Sequence, residues 1–318
     1  MLRPVRLEEA HAAAARIRDH ALRTPLLRLA LDDAAAGIWV KLENLQPIGS
    51  FKIRGAGNAM LQAEPARLEQ GVYTASAGNM AQGVGWMARA LGVPWRVIVP
   101  DRAPQTKLDA IRRLGGETIV LPFEDWWRVL ETHGYPGLDG VFIHPVSDQA
   151  VMAGNATIGL EILQDLPDVD TIVVPYGGGG LSCGIAAAVR ALKPDVTVLA
   201  AESESAAPLR AALDARQPVM VPHTPSFVDG IGGRSVLAEM WPLARQLLHG
   251  TRVVGLDQIA AAIRLLVERQ HVVAEGAGAA AVAVALAGMA GNGRVACVVS
   301  GGNIDAAKLA TILSGAMP

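Results

Sequence analysis

Cysteine is scarce in this sequence, since only Cys183 and Cys297 occur among its 318 residues. Two cysteines so far apart form neither the spacing of a zinc site nor a disulfide framework. Both lie in apolar surroundings, where a free cysteine usually acts as a small core residue. The scarcity excludes the small disulfide-stapled secreted proteins and is consistent with a reducing compartment.

An excess of charge of one sign is also missing, as are long apolar runs. The formal net charge is -2, which gives no electrostatic basis for binding nucleic acid. The most apolar segment, residues 277–290, is too short to span a bilayer and contains two glycines. Charged residues precede the first apolar run, so no signal peptide is visible. We therefore expect a cytoplasmic protein that binds neither nucleic acid nor a membrane.

Aromatic residues make up only 4% of the chain, although 51% of it is hydrophobic. The apolar residues are therefore mostly Ala, Val, Leu and Ile, which is typical of buried parallel strands. Strands alternate with helical stretches, which predicts an α/β fold in two units with a cleft between them. The predicted strands cover residues 38–42, 72–74, 95–99, 118–121, 141–143, 171–174, 196–200 and 295–299. The predicted helices cover residues 7–22, 50–62, 80–91, 105–114, 123–132, 149–166, 182–192, 257–270, 275–289 and a last stretch after 303.

One lysine stands out because of its surroundings. The run SFKIRG at residues 50–55 places Lys52 between Phe51 and Ile53, in the first turn of a predicted helix that Ser50 is expected to cap. The helix dipole and the apolar neighbours both favour the neutral amine. A neutral lysine amine is a nucleophile that forms Schiff bases with aldehydes. Taken alone, the stretch also fits a solvated surface lysine.

Four consecutive glycines at residues 177–180 follow a predicted buried strand and precede a helix. Glycine lets backbone N–H groups approach an anion closely, and the start of the following helix favours negative charge. This pattern predicts a phosphate site. A dinucleotide site is the alternative, with Glu202 at about the offset of a ribose-binding acid, but the G-x-G-x-x-G spacing fails at Ser182.

Two further loops rich in small residues follow strands. Residues 76–79, with the sequence SAGN, offer hydroxyl, amide and backbone donors that can bind a carboxylate. Residues 300–303, with the sequence SGGN, are similar, and Ser300 is a neutral partner for a ring nitrogen. The histidines are scattered without metal-ligand spacing, so no metal site is predicted.

Five segments of this chain together resemble the serine/threonine dehydratases. They are residues 42–55, 76–83, 177–181, 272–278 and 300–303. This family has the tryptophan synthase β-like fold of pyridoxal-phosphate enzymes, fold type II, with two open, twisted, mostly parallel sheets flanked by helices. The resemblance covers nearly the whole chain and implies pyridoxal 5'-phosphate as cofactor. It also implies a small domain at residues 45–144, inserted in a large domain made of residues 1–44 and 145–318.

The resemblance implies a role for each matching residue. Lys52 is the expected Schiff-base lysine and catalytic base. The cofactor phosphate is expected at Gly177, Gly178, Gly179, Gly180 and Leu181. The cofactor ring is expected beside Phe51, with Asn79 at its hydroxyl and Ser300 at its nitrogen. The substrate is expected against Ser76, Ala77, Asn79 and Met80.

The implied activity is that of an ammonia-lyase. It would remove water and then ammonia from a β-hydroxy-α-amino acid such as L-threonine or L-serine, leaving a 2-keto acid. No regulatory domain follows the catalytic segments, so the chain resembles the short catabolic threonine dehydratases, which implies a homodimer or homotetramer. A β-replacement transferase of the cysteine synthase type and a nicotinamide-binding protein are the alternatives.

Some positions depart from the family pattern. Ala77 stands where the related racemases have a second acid–base serine, which argues against racemisation. Pro208 replaces an acidic ligand of the family's cation site near Glu202, so no metal is expected there. Apolar Met80 and small Gly232 are expected to widen the pocket, which favours a bulkier substrate such as L-phenylserine as the alternative.

Overall fold

The computed structural model of the protein describes residues 2–31, 37–101, 103 and 105–318. The strands are β1 Leu26–Arg28, β2 Ile38–Leu42, β3 Val72–Ala75, β4 Trp95–Pro100, β5 Glu117–Leu121, β6 Val141–Phe142, β7 Thr171–Pro175, β8 Thr197–Ser203, β9 Thr251–Val254 and β10 Val295–Val299. The helices are α1 Leu7–Ile17, α2 Lys52–Leu61, α3 Pro65–Glu69, α4 Asn79–Leu91, α5 Gln105–Arg113, α6 Phe123–Thr132, α7 Gln149–Asp165, α8 Gly180–Leu192, α9 Pro208–Ala215, α10 Trp241–Leu247, α11 Leu256–Gln270, α12 Gly276–Leu286 and α13 Ala306–Leu313, with a 3-10 turn at Glu43–Leu45.

The larger sheet contains six strands in the order β1-β2-β10-β7-β8-β9. Strand β1 runs antiparallel to its neighbour, and the other pairs are parallel. In the centre of the sheet, Cys297 of β10 lies opposite Val40 of β2 and Val173 of β7. These apolar strands are buried because helices cover both faces of the sheet. The last strand of the chain thus lies between the second and the seventh.

The smaller sheet contains four parallel strands in the order β5-β4-β3-β6. The predicted α/β class with two mostly parallel sheets flanked by helices is confirmed. All four strands lie between residues 72 and 142. The division into domains at 45–144 and at 1–44 plus 145–318 stays a prediction. Among the described residues, no helix combines the length and apolar character needed to cross a membrane.

Several elements differ from the sequence prediction. The first helix ends at Ile17 instead of residue 22, and β1, β9, α3, α9 and α10 were not predicted. Strand β9 lies at a sheet edge, where Arg252 and Val253 are partly exposed, so it lacks a continuous apolar run. Residues 216–240, between α9 and α10, form no helix or strand.

Helix α2 packs tightly against α7. A Cβ atom on Gly154 of α7 would collide with the backbone carbonyl of Arg54, and one on Gly55 would lie 2.7 Å from Val151. The two helices therefore approach closely only because these positions lack side chains. This packing buries eight of the ten residues of α2 and fixes the helix that carries Lys52 at its first position.

A buried ionic cluster also holds helix α2. The Arg54 guanidinium donates to both oxygens of Glu43 at 2.8 Å and to Glu161 at 2.7 Å and 2.9 Å. Lys41 donates to Glu161 at 2.5 Å and to the Thr24 carbonyl at 2.6 Å. Burial alone would lower the pKa of Arg54, but the Glu43 and Glu161 carboxylates outweigh it and raise that pKa. The cluster joins β2, α2 and α7 around paired charges.

Candidate active site

Lys52 begins α2, next to the loop that follows β10. The N-cap residue is Phe51, whose N–H donates to the Ser300 carbonyl at 3.0 Å. The prediction that Ser50 caps the helix was wrong, because Ser50 instead forms an isolated β-bridge with Gly301 and its hydroxyl caps no N–H of α2. The loop after β10 therefore anchors the start of the lysine helix.

The Lys52 amine lies inside a cavity. Its Nζ donates to the Pro145 carbonyl oxygen at 2.6 Å and lies 5.2 Å from the centre of the Phe51 ring. Desolvation lowers the pKa of Lys52 to about 8, although the Glu275 carboxylate opposes the shift. A lysine with this pKa is partly neutral near neutral pH and can act as a nucleophile or a base.

The cavity has a volume of about 410 Å³ and lies at the carboxyl ends of β3, β7 and β10, where open α/β sheets bind ligands. The structure brings every site residue predicted from the sequence to its wall. These residues are Phe51, Lys52, Ser76, Ala77, Asn79, Met80, Gly177, Gly178, Gly179, Gly180, Leu181 and Ser300. The loops after β3, β7 and β10, together with the start of α2, thus form one site.

The glycine loop, residues 177–180, forms a backbone cradle. It packs so closely against Val146 that there is no space for a side chain on Gly178 or Gly180. A Cβ atom on Gly178 would lie 2.5 Å from Val146 Cγ1, and one on Gly180 would lie 2.5 Å from the Val146 carbonyl oxygen. Gly179 has a φ of +97°, which favours glycine. Helix α8, which is 13 residues long, begins at Gly180, so its free N–H groups and positive dipole end face this wall. The donors fit a phosphate group.

The loop after β3 presents its backbone and a fixed amide. The Gly78 N–H donates to the Ser76 hydroxyl at 3.2 Å, which closes the loop on itself. Asn79 begins α4 and donates to the Glu275 carboxylate at 2.8 Å, while Asn303 donates to the Asn79 oxygen at 2.8 Å. Asn79 is therefore held between the loop after β10 and the start of α12.

Sequence reasoning missed three contributors to this site. Glu275 lies in the segment 272–278 that resembles the family, and its carboxylate contacts Asn79 and raises the pKa of Lys52 against desolvation. The Pro145 carbonyl binds Lys52, which no side-chain pattern could reveal. Trp126 of α6, to which the sequence analysis gives no role, lines the cavity. Its neighbour Trp127 donates to Glu131 within the same helix.

Comparison with known proteins decides the family. A family profile described as "Pyridoxal-phosphate dependent enzyme" matches residues 17–301. The chain belongs to this family. The chain is 37% identical to an L-threonine ammonia-lyase of Thermotoga maritima over 98% of its own length and 78% of that protein. The predicted family and cofactor are confirmed.

Solved structures agree with this assignment. The processed form of threonine deaminase isoform 2 from Solanum lycopersicum superposes with a TM-score of 0.84 at 29% identity, covering 99% of this chain and 96% of that chain. A maize serine racemase superposes with a TM-score of 0.87 at 30% identity, covering 98% of both chains. The family cofactor, pyridoxal phosphate, carries a phosphate that suits the glycine cradle and an aldehyde that suits the neutral amine of Lys52.

Glu202, the residue considered for a nicotinamide ribose, is already engaged in the fold. It is fully buried, and its two carboxylate oxygens accept from the Leu209 and Arg210 N–H groups at 2.7 Å and 2.9 Å. Thr251 adds a hydroxyl donor at 2.8 Å. Burial raises the pKa of Glu202, and these donors oppose that rise. Glu202 therefore caps α9, and the nicotinamide interpretation is wrong.

One cluster of described residues has the composition of a metal site. His133, His144 and Glu239 each place a ligand atom within 4.8 Å of the others. However, the Nδ1 atom of His144 already accepts hydrogen bonds from the Val146 and Ser147 N–H groups. Its lone pair is not available to a cation. The cluster is better explained as part of the fold, and the expected lack of a metal stays a prediction.

Proposed function

We propose that this protein is a pyridoxal-phosphate dependent ammonia-lyase that acts on β-hydroxy-α-amino acids. The observation that carries the proposal is a desolvated lysine, Lys52, which shares one cavity with a phosphate cradle and a donor-rich loop. Relatives named L-threonine ammonia-lyase and L-threonine dehydratase support the activity. A structural neighbour is a serine ammonia-lyase of Rhizomucor miehei.

Each wall of the cavity would hold a different part of the cofactor. The N–H groups of residues 177–181 would bind its phosphate. Phe51 and Asn79 would bind the ring, and the neutral Ser300 hydroxyl would face the ring nitrogen. Lys52 would hold the aldehyde carbon. Ser300 is 3% exposed.

Lys52 would then transfer the α-proton of the substrate. Bound pyridoxal phosphate supplies an electron sink that stabilises negative charge on the substrate Cα atom. Lys52, with its pKa lowered to about 8, would remove the α-proton once its amine is free. The Pro145 carbonyl oxygen, 2.6 Å away, holds that amine in place. The Cβ–O bond then breaks as a Cα–Cβ double bond forms, and the β-hydroxyl leaves as water with the proton that Lys52 had taken from Cα. Hydrolysis of the eliminated product gives a 2-keto acid and ammonia.

The loop at residues 76–79 would orient the substrate. Its N–H groups and the Ser76 hydroxyl would bind the substrate carboxylate at the start of α4. Ala77 has no proton to give to the opposite face of the Cα atom. The cavity therefore favours elimination over racemisation, although a serine racemase is among the structural neighbours.

A bulkier substrate is the second candidate. Apolar groups line the cavity next to the substrate loop, including Met80, Pro100 and Trp126. Met80 is only 1% exposed, so it forms part of the wall instead of projecting into solvent. These walls favour a β-substituent larger than methyl, such as the phenyl group of L-phenylserine.

The site of action is proposed as the cytoplasm, and the assembly as a homodimer or homotetramer. Both buried cysteines are unpaired, which fits a reducing compartment. The described surface exposes large apolar side chains at Leu22, Leu45 and Trp86, which fits an interface between copies of the chain.

The test is release of a 2-keto acid by purified protein with pyridoxal phosphate. The substrates are L-serine, L-threonine, L-phenylserine and 3-hydroxyaspartate. Lys52→Ala is the test variant, and Lys308→Ala on α13 is the matched control. Release that survives in the control and vanishes in Lys52→Ala supports the proposal. If L-threonine exceeds L-phenylserine in kcat/KM, the second candidate fails; if no substrate releases a keto acid, the proposal fails.

A further inference from the structure

The Lys52 amine is held by a backbone carbonyl that belongs to no helix or strand. Pro145 lies in the short segment between β6, which ends at Phe142, and α7, which begins at Gln149. Its carbonyl oxygen accepts from Lys52 Nζ at 2.6 Å. A carbonyl in such a segment has no ladder of backbone hydrogen bonds to set its direction. Another group must therefore orient it.

A buried histidine supplies that orientation. The Nδ1 atom of His144 accepts from the Val146 N–H at 3.0 Å and from the Ser147 N–H at 2.7 Å. Asparagine and aspartate side chains close turns in the same way, by accepting from N–H groups two and three residues further on. This turn spans Pro145, so the imidazole fixes the direction of the Pro145 carbonyl.

The imidazole ring is itself tightly held. His144 is 1% exposed and stacks on His133, with ring centres 4.5 Å apart and an interplanar angle of 19°. It also forms a hydrogen bond with the backbone of Leu130. Burial, together with His133 and Lys52, lowers the pKa of His144 to about 3. The ring therefore stays neutral at neutral pH and keeps the Nδ1 lone pair that the turn requires.

We infer that His144 is a positioning residue for Lys52, acting through the Pro145 carbonyl. The inference rests on the proposed role of Lys52 as cofactor-binding lysine and proton carrier. A lysine side chain has a flexible four-carbon stem, so its amine needs a fixed acceptor to remain near the reacting atom. Loss of the turn would leave the amine in the cavity without that acceptor.

Three variants of the holoenzyme distinguish the effect of the acceptor atom of His144 from the effect of its ring. His144→Leu removes the acceptor, and His144→Asn keeps an acceptor oxygen close to the position of Nδ1. His133→Leu is the matched control, because it removes the stacked ring and leaves the turn intact. The readouts are kcat, KM, melting temperature and the fraction of protein that borohydride labels at Lys52, identified by peptide mass.

We expect His144→Leu to lower kcat by about tenfold to a hundredfold, the usual cost of a small misplacement of a catalytic group. KM should change little, and labelling at Lys52 should fall. His144→Asn should keep kcat within about threefold of the parent, as expected for an intact turn. His133→Leu should keep the parental kcat and the parental labelling at Lys52. If His144→Leu does not fold, His144→Gln, which displaces the acceptor by one methylene, takes its place.

Two results would overturn the inference. One is a folded His144→Leu variant with parental kcat and parental labelling. The other is a His144→Asn variant that is as impaired as His144→Leu, which would assign the effect to the ring and not to the acceptor. A parent protein that borohydride does not label at Lys52 would instead contradict the proposed function, so the two failures are distinguishable.

Discussion

Two cations, the buried Arg54 and the half-buried Lys52, lie two residues apart on helix α2 and have opposite surroundings. Arg54 is surrounded by carboxylates, with Glu43 and Glu161 both within 2.9 Å. Lys52 faces a cavity, and its bonded neighbour is the uncharged Pro145 carbonyl. The pKa of Arg54 is raised, whereas that of Lys52 is lowered to about 8. At one end of the helix, Arg54 is thus held in its charged form, whereas Lys52 is shifted towards its neutral form.

The difference shows how a fold can keep a reactive group in place. A desolvated cation destabilises the folded state when nearby carboxylates offset only part of the cost of losing water, as the Glu275 carboxylate does for Lys52. The paired cluster two residues away and the close packing of α2 on α7 hold the helix in position regardless. We therefore expect the Arg54 cluster to carry stability and Lys52 to carry reactivity.

Replacing Lys52 should abolish activity without unfolding the protein. Lys52→Ala is expected to lower kcat by at least about 10³-fold, since it removes both the cofactor link and the base. Its melting temperature as cofactor-free protein should equal or exceed that of the parent, because a desolvated amine is lost. Parallel kinetics and thermal scans check both. A melting temperature well below that of the parent would contradict the claim that the desolvated Lys52 amine destabilises the folded state.

Replacing Arg54 should have the reverse result. Arg54→Met leaves the Glu43 and Glu161 carboxylates buried without their partner, which typically costs about 3–5 kcal/mol. Urea unfolding of the cofactor-free protein measures this cost, and Arg89→Met on the exposed side of α4 is the control. The control should change the free energy of unfolding by about 0.5 kcal/mol or less. An Arg54→Met cost no larger than the control's would contradict the proposed division.

The pH dependence of Lys52 reactivity should reflect its lowered pKa. In the cofactor-free protein, acylation of Lys52 should rise with pH to a midpoint near 8, which lies below the ordinary range of lysine. The sign is fixed by linkage: the folded state binds its proton less tightly than the unfolded chain. Stability should therefore rise as pH increases above about 8. Mass spectrometry of the Lys52 peptide checks the midpoint, and a midpoint near the ordinary lysine value of about 10.4 would refute the assignment.

Glu275 should tune that midpoint by a smaller amount. Its carboxylate raises the pKa of Lys52 against the effect of desolvation. Glu275→Gln keeps an acceptor for the Asn79 amide but removes the charge, so the acylation midpoint should move to lower pH. Glu239→Gln, which lies beside His133 outside the cavity, is the control. A midpoint that rises in Glu275→Gln would show that the carboxylate acts in another way.

Much of this arrangement could be predicted from sequence because it depends on local pattern. Alternating apolar strands and helices predicted the two sheets, and the glycine run at 177–180 with Lys52 at a helix start predicted the cavity wall. Partners joined only by tertiary contact could not be predicted. The Pro145 carbonyl and Glu275 lie 93 and 196 residues from the side chains they bind. The cap expected from Ser50 failed because a backbone bridge to Gly301 took precedence.

The position of β10 between β2 and β7 has a consequence for synthesis of the chain on the ribosome. Strand β2 is made early, but its parallel neighbour is made only when residues 295–299 emerge. The same late segment supplies Ser300, which fixes the start of the lysine helix. Such distant pairings form slowly. A nascent chain therefore carries an unpaired sheet edge, which favours aggregation, and the lysine helix lacks its anchor until residues 295–300 have been translated.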